Sequence, residues 1–238
     1  MVKHPLQQAQ FLLTVANDEQ LPPSGPPEVA FAGRSNAGKS SAINVLANQT
    51  RLAFTSKTPG RTQQINFFRL RNGALLADLP GYGYAAVPQE LKHHWQAFLG
   101  RYLATRQALI GLVLVVDARH GLADLDLQLL HAFLPSGRPV FILATKVDKL
   151  TTSAQHQAVR AMAAAVADAF PAHVAGVEIV PFSATRRLGI DVAETLLGSW
   201  LGVTAESIAE ARAEEGPKKE KAPRARGVPR GPKRPGRG

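Results

Sequence analysis

Apolar residues along the chain occur in short runs separated by polar, glycine- and proline-rich stretches. Glu28-Val29-Ala30-Phe31-Ala32, residues 109–117, which end in Asp117, and Val140-Phe141-Ile142-Leu143-Ala144 are mainly apolar runs of strand length, as buried strands require, and residues 177–182 read as a further strand. Residues 41–48, 88–107, 122–134, 151–170 and 191–201 carry helical periodicity instead. Pro88 stands where a helix tolerates proline, at its start, and Thr151-Thr152-Ser153 are cap candidates. Residues 65–70 and 74–78 flank Asn72-Gly73, a tight-turn dipeptide, so they predict a hairpin. Near the start, Phe11, Leu12, Val15 and Ala16 have the spacing of a helix, which the proline-rich residues 22–27 end. Residues 55–64, with Pro59-Gly60, read as a polar loop.

After the hairpin, strands and helices alternate. That order predicts an α/β fold with a mostly parallel sheet, one antiparallel edge strand and helices on both faces. Ligands of such sheets bind beyond the carboxyl ends of the strands, so polar motifs that follow apolar runs are the ones to read. The predicted organisation is an N-terminal helix and proline-rich connector over residues 1–26, a globular domain over 27–203 and an extension over 204–238.

Charge changes this picture only at one end. The chain has 238 residues and a net charge of +10. Nine lysines and arginines, with Glu220 as the one acid, lie between residues 216 and 238, so the rest is close to neutral. Five prolines, five glycines and a single large apolar residue, Val228, predict that this tail is disordered. It is either an arm that neutralises nucleic-acid phosphates or a solvated tail without a partner. With no cysteine in the chain, disulfides, thiol nucleophiles and cysteine-ligated metals are excluded. Residues 1–20 lack the pattern of a signal peptide, and the longest apolar stretch, 109–116, is far below the ~20 residues of a membrane span. The expectation is a soluble, cytoplasmic protein with no membrane partner.

The first candidate site is Gly33-Arg34-Ser35-Asn36-Ala37-Gly38-Lys39-Ser40, which meets G-x-x-x-x-G-K-[ST] at every fixed position, between a predicted strand and a predicted helix. Gly33 and Gly38 let the backbone wrap a phosphate chain. Inward N–H groups and the helix N-terminus supply positive potential. Lys39 would meet the β- and γ-phosphates, and Ser40 would offer a hydroxyl to Mg²⁺. Thr145-Lys146-Val147-Asp148 follows the run that ends at Ala144. It resembles the guanine-specificity signature N/T-K-x-D, in which the Asp148 carboxylate accepts from N1–H and the 2-amino group while the Lys146 stem lies against the ring. Thr145 replaces the commoner Asn and so removes an amide that supports the site. Asp78-Leu79-Pro80-Gly81 fits D-x-x-G, with Asp78 holding Mg²⁺ through a water and the Gly81 N–H sensing the γ-phosphate. Thr62 is placed as a second protein ligand of Mg²⁺, and Phe182-Ser183-Ala184 resembles the last guanine-contacting loop, where the N–H of Ser183 or Ala184 meets the base oxygen.

Together these segments resemble the TrmE–Era–EngA–Septin-like branch of P-loop GTPases, and most of all the EngB (YihA, YsxC) family. The resemblance is carried by Gly33 to Ser41, by Thr58-Pro59-Gly60-Arg61-Thr62-Gln63-Gln64-Ile65-Asn66-Phe67-Phe68 and by Asp78-Leu79-Pro80-Gly81-Tyr82-Gly83-Tyr84-Ala85, over about residues 7–201. It implies a Ras-like, six-stranded GTP-binding domain that binds GTP and GDP with Mg²⁺ and acts in assembly of the large ribosomal subunit, with a link to cell division and septation. It brings Gly60, Arg61, Gln63 and Gln64 into the nucleotide site, and it marks Lys39, Thr62, Gly81 and Asn36 as the residues of GTP hydrolysis. Asn36 matches a position that coordinates K⁺ in potassium-activated relatives; a loop hydrogen bond is its alternative role. Tyr82 stands directly after D-x-x-G, where many Ras-like proteins place a water-orienting Gln, so turnover should be slow.

Other features suggest less. His93-His94 point in different directions on a helix and do not share a metal, and Trp95, Phe98, Leu99 and Tyr102 have core-facing spacing. Two other functions remain open on sequence grounds: an ATP-using phosphotransferase, against which Asp148 argues, and a constitutive RNA-binding protein stabilised by GDP and tethered by its basic tail. Nothing in the sequence demands more than a monomer.

Overall fold

The computed structural model describes residue 6 and residues 9–54, 64–83 and 89–202, the last from residue 97 onward with side chains. The expectations for Gly60, Arg61, Thr62 and Gln63, for the side chains of His93, His94 and Trp95, and for the extension beyond residue 202 lie outside the described residues.

Among the described residues there are seven strands: β1 (Gln10–Val15), β2 (Glu28–Gly33), β3 (Ile65–Arg69), β4 (Leu75–Asp78), β5 (Leu109–Asp117), β6 (Val140–Thr145) and β7 (Val177–Pro181). They form one sheet in the order β1-β3-β4-β2-β5-β6-β7. The helices are α1 (Lys39–Leu46), α2 (Gln89–Thr105), α3 (Asp124–Phe133), α4 (Thr152–Ala169) and α5 (Ile190–Trp200). β2, β4, β5, β6 and β7 pair in parallel, whereas β3 is antiparallel to both β4 and β1.

Two expectations change here. Residues 10–15 form a strand, not a helix, which raises the sheet from six strands to seven. Six residues are too few for a stable isolated helix, whereas the open edge of β3 offers a full row of backbone partners. Thr14 Oγ1 adds a side-chain hydrogen bond to Asn66 Oδ1 at 2.8 Å across that pair. The antiparallel strand is consequently β3, one place in from the edge, and β1 covers it.

The central strands alternate between two cores. Leu112, Leu114 and Val116 of β5 face Phe98, Tyr102, Leu130, Phe133 and Met162 of α2, α3 and α4. Val113 and Val115 face Ile43 and Leu46 of α1 and Ile190 and Leu197 of α5. Burial on both faces explains why these strands read as unbroken apolar runs. At the amino ends of the strands, the Tyr102 hydroxyl (3.1 Å) and Arg106 Nε (3.1 Å) both donate to fully buried Glu28. Arg106 also donates to the Pro22 carbonyl at 2.8 Å, so the proline-rich connector is fastened beneath the sheet. That leaves the carboxyl ends for the polar loops.

Candidate functional site

Five loops meet at the carboxyl ends of adjacent parallel strands. They are Gly33–Ser40 after β2, Asp78–Gly81 at the end of β4, Asp117–Gly121 after β5, Thr145–Asp148 after β6 and Phe182–Ala184 after β7. The first bends as a phosphate-binding loop must. Gly38 has φ of 103° and Asn36 of 66°. A Cβ at Gly33 would lie 2.5 Å from the Val115 carbonyl oxygen of β5, so no side chain fits there. α1 begins at Lys39 and aims its N-terminus into the loop.

Lys39 Nζ forms an ion pair and hydrogen bond with Asp78 Oδ1, which brings the loop's cation to the acidic end of the neighbouring strand. Burial pushes the Asp78 carboxyl above its ordinary value, and Lys39 works against that rise. Ser40 is buried at the first turn of α1. The donors in this corner are oxygens of a hydroxyl and a carboxylate, a set that suits a hard divalent cation such as Mg²⁺. Among the described residues, no group of three or more His, Cys, Asp or Glu could hold a metal ion. Of the three residues expected to hold Mg²⁺, Ser40 and Asp78 are brought to this corner, and Thr62 lies outside the described residues.

The loop after β6 braces the phosphate loop. Thr145 Oγ1 lies 2.5 Å from the Ala37 carbonyl oxygen and 3.0 Å from that of Val116. A hydroxyl has one proton and gives it to the nearer acceptor. The Thr145 hydroxyl thus holds the phosphate loop directly, and losing the amide of Asn does not leave that loop unsupported. Lys146 has φ of 60° and donates from Nζ to the Asn36 carbonyl at 2.6 Å. The same ammonium lies 2.9 Å from Asp117 Oδ2. Val147 is buried behind the loop.

Asp148 accepts from Ser183 Oγ at 2.6 Å. That bond is the main cause holding its carboxyl below the ordinary value, with burial opposing it. The Ser183 backbone N–H donates to the Leu188 carbonyl at 3.1 Å. Of the two N–H groups expected to meet a base oxygen, Ser183's is committed elsewhere, which leaves Ala184's. Phe182 is fully buried beneath them. Leu79 N–H donates to the Phe31 carbonyl at 2.9 Å, and Pro80 and Gly81 follow with Gly81 against Ser35. Gln64 is exposed just before β3. The side chain of Arg34 is exposed at the outer edge of the loop.

Two participants were not singled out from the sequence. Asp117, at the end of β5, stands in register with Thr145. Burial raises its carboxyl, but the Arg119 guanidinium and the Lys146 ammonium outweigh that and hold it well below the carboxylate range. Its visible signal was a charge closing the apolar run 109–116. The second is Asp126 of α3, which accepts from the Tyr82 hydroxyl at 2.6 Å. Arg34, Asn36, Asp117, Arg119, Asp126 and Lys146 are among the residues that line a cavity of about 220 Å³ beside the loop.

Comparison with known proteins bears on this arrangement. The family described as 50S ribosome-binding GTPase matches residues 28–146. The GTP-binding protein EngB of Azoarcus sp. (strain BH72) is 50% identical over 193 residues, covering 81% of this chain and 91% of its own. That of Ralstonia pickettii (strain 12J) is 47% identical over 218 residues, covering 88% and 93%. Among solved structures, a GTP-binding protein EngB superposes with a TM-score of 0.58 at 22% identity, over 74% of this chain and 100% of its own. Era in complex with MgGDPNP and nucleotides 1506–1542 of 16S ribosomal RNA gives 0.55 at 22%, over 75% and 57%. At such identity the two structures speak for the fold alone, a Ras-like P-loop GTPase domain.

Proposed function

The chain belongs to the EngB family of GTP-binding proteins, with that family's GTPase domain, and from that premise we propose that it is a slow, Mg²⁺-dependent GTP switch in assembly of the large ribosomal subunit. The observation that carries the reading is the joining of the phosphate loop to the base loop. Thr145 and Lys146 hold the Ala37 and Asn36 carbonyls, and Asp148 of the same loop accepts from Ser183 of the next one.

In this reading the N–H groups of residues 33–40 bind the phosphates, with Arg34 and Ser35 at the outer edge. Lys39 leaves Asp78 for the β- and γ-phosphates, where its charge stabilises the transition state. Asp148, kept ionised by Ser183, accepts from guanine N1–H and the 2-amino group. Adenine offers no such pair and would leave a carboxylate unpaired. Lys146 flanks the base, with Val147 and Phe182 buried behind the two loops and the Ala184 N–H at the base oxygen. Ser40, Asp78 through a water, and Thr62 would hold Mg²⁺, which neutralises charge on the phosphate oxygens when bound. Gly60, Arg61, Gln63 and Gln64 would close over the nucleotide, and the Gly81 N–H, carried by Asp78-Leu79-Pro80, would sense the γ-phosphate. K⁺ beside Asn36 is part of the proposal and is read from turnover in K⁺ against Na⁺. Tyr82 cannot orient water as Gln does, which favours a slow intrinsic rate. None of the described helices is long and apolar enough to cross a membrane. A cytoplasmic monomer needed for normal cell division completes the proposal.

The test is cosedimentation with purified large ribosomal subunits. The protein carries GDP or a non-hydrolysable GTP analogue, with and without residues 216–238. Tighter binding in the GTP-like state that survives removal of the tail supports the switch. Salt-sensitive binding that ignores the nucleotide and disappears with the tail supports a constitutive RNA tether instead.

A further inference from the structure

The backbone after β4 does not leave the sheet where the strand ends. Tyr82 N–H points to the Gly33 carbonyl at 3.4 Å, and Ser35 N–H donates to the Tyr82 carbonyl at 2.9 Å, so Arg34 and Tyr82 form a parallel bridge. These bonds lay residues 79–82 along the phosphate loop. Gly81 is pressed against Ser35, and a Cβ on it would lie 3.1 Å from Ser35 Oγ and 3.3 Å from the Ser35 N and Cα.

The Tyr82 side chain goes the other way. Its ring packs against the core shared by α2, α3 and α4, and its hydroxyl donates to Asp126 Oδ1 at 2.6 Å. Asp126 is 1% exposed, and its other oxygen accepts the Ala123 N–H at 2.9 Å, so both oxygens are committed and the carboxylate cannot turn. Burial first, and the Asp126 charge second, push the Tyr82 phenol far above its ordinary value, so the hydroxyl keeps its proton and remains the donor. Directly after Tyr82 comes Gly83, with φ of +83°.

We propose that Asp126 is a positioning residue for GTP hydrolysis: through Tyr82 it pins residues 79–82 to the phosphate loop, so that the Gly81 N–H is presented at one place. The position after D-x-x-G is thereby turned from orienting water to anchoring the backbone. The inference rests on GTP hydrolysis at the site described above. Neither residue touches the nucleotide in this account. The anchor changes the fraction of molecules in which Gly81 is in place. A hydrogen bond to a charged acceptor corresponds to about a tenfold shift in such a fraction.

The experiment is a double-mutant cycle on the full-length protein with Tyr82→Phe, Asp126→Ala and both together. It reads single-turnover GTP hydrolysis with Mg²⁺, GDP affinity and thermal unfolding. Each single variant should hydrolyse about tenfold more slowly with GDP affinity within about twofold of wild type, and the double variant should be no slower than the worse single one. Asp126→Ala also removes the acceptor of the Ala123 N–H at the start of α3 and should unfold at a lower temperature than Tyr82→Phe, although the two lose rate equally. Variants that turn over at the wild-type rate, or rate losses that multiply in the double variant, overturn the anchor while leaving the GTPase reading intact. Wild-type protein that turns over no GTP overturns both.

Discussion

Replacing Thr145 with Val tests whether the base loop supports the phosphate loop. The two side chains have nearly the same shape, so packing beneath Gly38, whose Cβ position lies 3.6 Å from Thr145 Oγ1, is preserved. The hydroxyl is lost, and with it the 2.5 Å bond to the Ala37 carbonyl. Thr145 is 4% exposed, so the freed carbonyl cannot turn to bulk water. A net hydrogen bond contributes about 1 kcal/mol, and a stranded buried acceptor costs about 1–3 kcal/mol. The expected loss is therefore about 1–3 kcal/mol. For a domain of this size that lowers the unfolding temperature by about 3–10 °C in circular dichroism. The phosphate loop of the variant must also be ordered by the nucleotide, so GDP should bind about 5- to 30-fold more weakly in a fluorescent-GDP titration, equivalent to about 1–2 kcal/mol. Thr145→Ser keeps the hydroxyl and serves as the control, with GDP affinity close to wild type. A Thr145→Val protein that melts within about a degree of wild type and binds GDP within about twofold would show that the bond does not support the loop.

Asp148→Asn exchanges an acceptor for a group that also donates; GTP affinity should fall at least about a hundredfold, given about 1.5–3 kcal/mol for each of two hydrogen bonds to a charged group, while xanthosine triphosphate, which carries an oxygen in place of the 2-amino group, should bind better than GTP. Competition titrations of the two nucleotides decide it, and an unchanged preference for GTP removes Asp148 from the base site. Asp117 sets an acid limit. Its native value lies below the unfolded one, so the stability it supplies is present above about pH 4 and is lost as the pH falls from there toward the native value. Asp117→Asn should flatten that limb of a urea-denaturation series against pH, and an unchanged slope would count against the pairing with Arg119 and Lys146.

Much of this fold and site was legible because burial leaves a simple trace. β5 and β6 lie between two helical layers, so they read as apolar runs, and their register puts Asp117 beside Thr145 at the same edge. The phosphate loop was legible for a different reason: its glycines answer to backbone constraints, such as the 2.5 Å approach to Val115 at Gly33, that only one residue type meets. Residues 10–15 misled because their apolar spacing suits either period, and what decides between them is the free edge of β3, which comes into being only after folding. The same limit hid the contact between Tyr82 and Asp126, which are 44 residues apart. It also hid the hydrogen bond that takes the Ser183 N–H away from a base.

The contacts the sequence did not announce are those that join its motifs. Each motif names a local chemistry: phosphate, base or metal. Thr145 to Ala37, Lys146 to Asn36, Lys39 to Asp78, and Tyr82 to Ser35 through the backbone turn these separate loops into one body. A loop that must be ordered by its ligand spends part of the binding energy on that ordering, whereas loops already fastened to one another do not. The same linkage makes the base loop and the segment before Gly83 two supports of a single phosphate loop. Weakening either support should therefore reach the nucleotide through the phosphate loop. Thr145→Val should appear first in affinity and Tyr82→Phe first in rate, because Thr145 holds the cradle and Tyr82 holds the residue that senses the terminal phosphate.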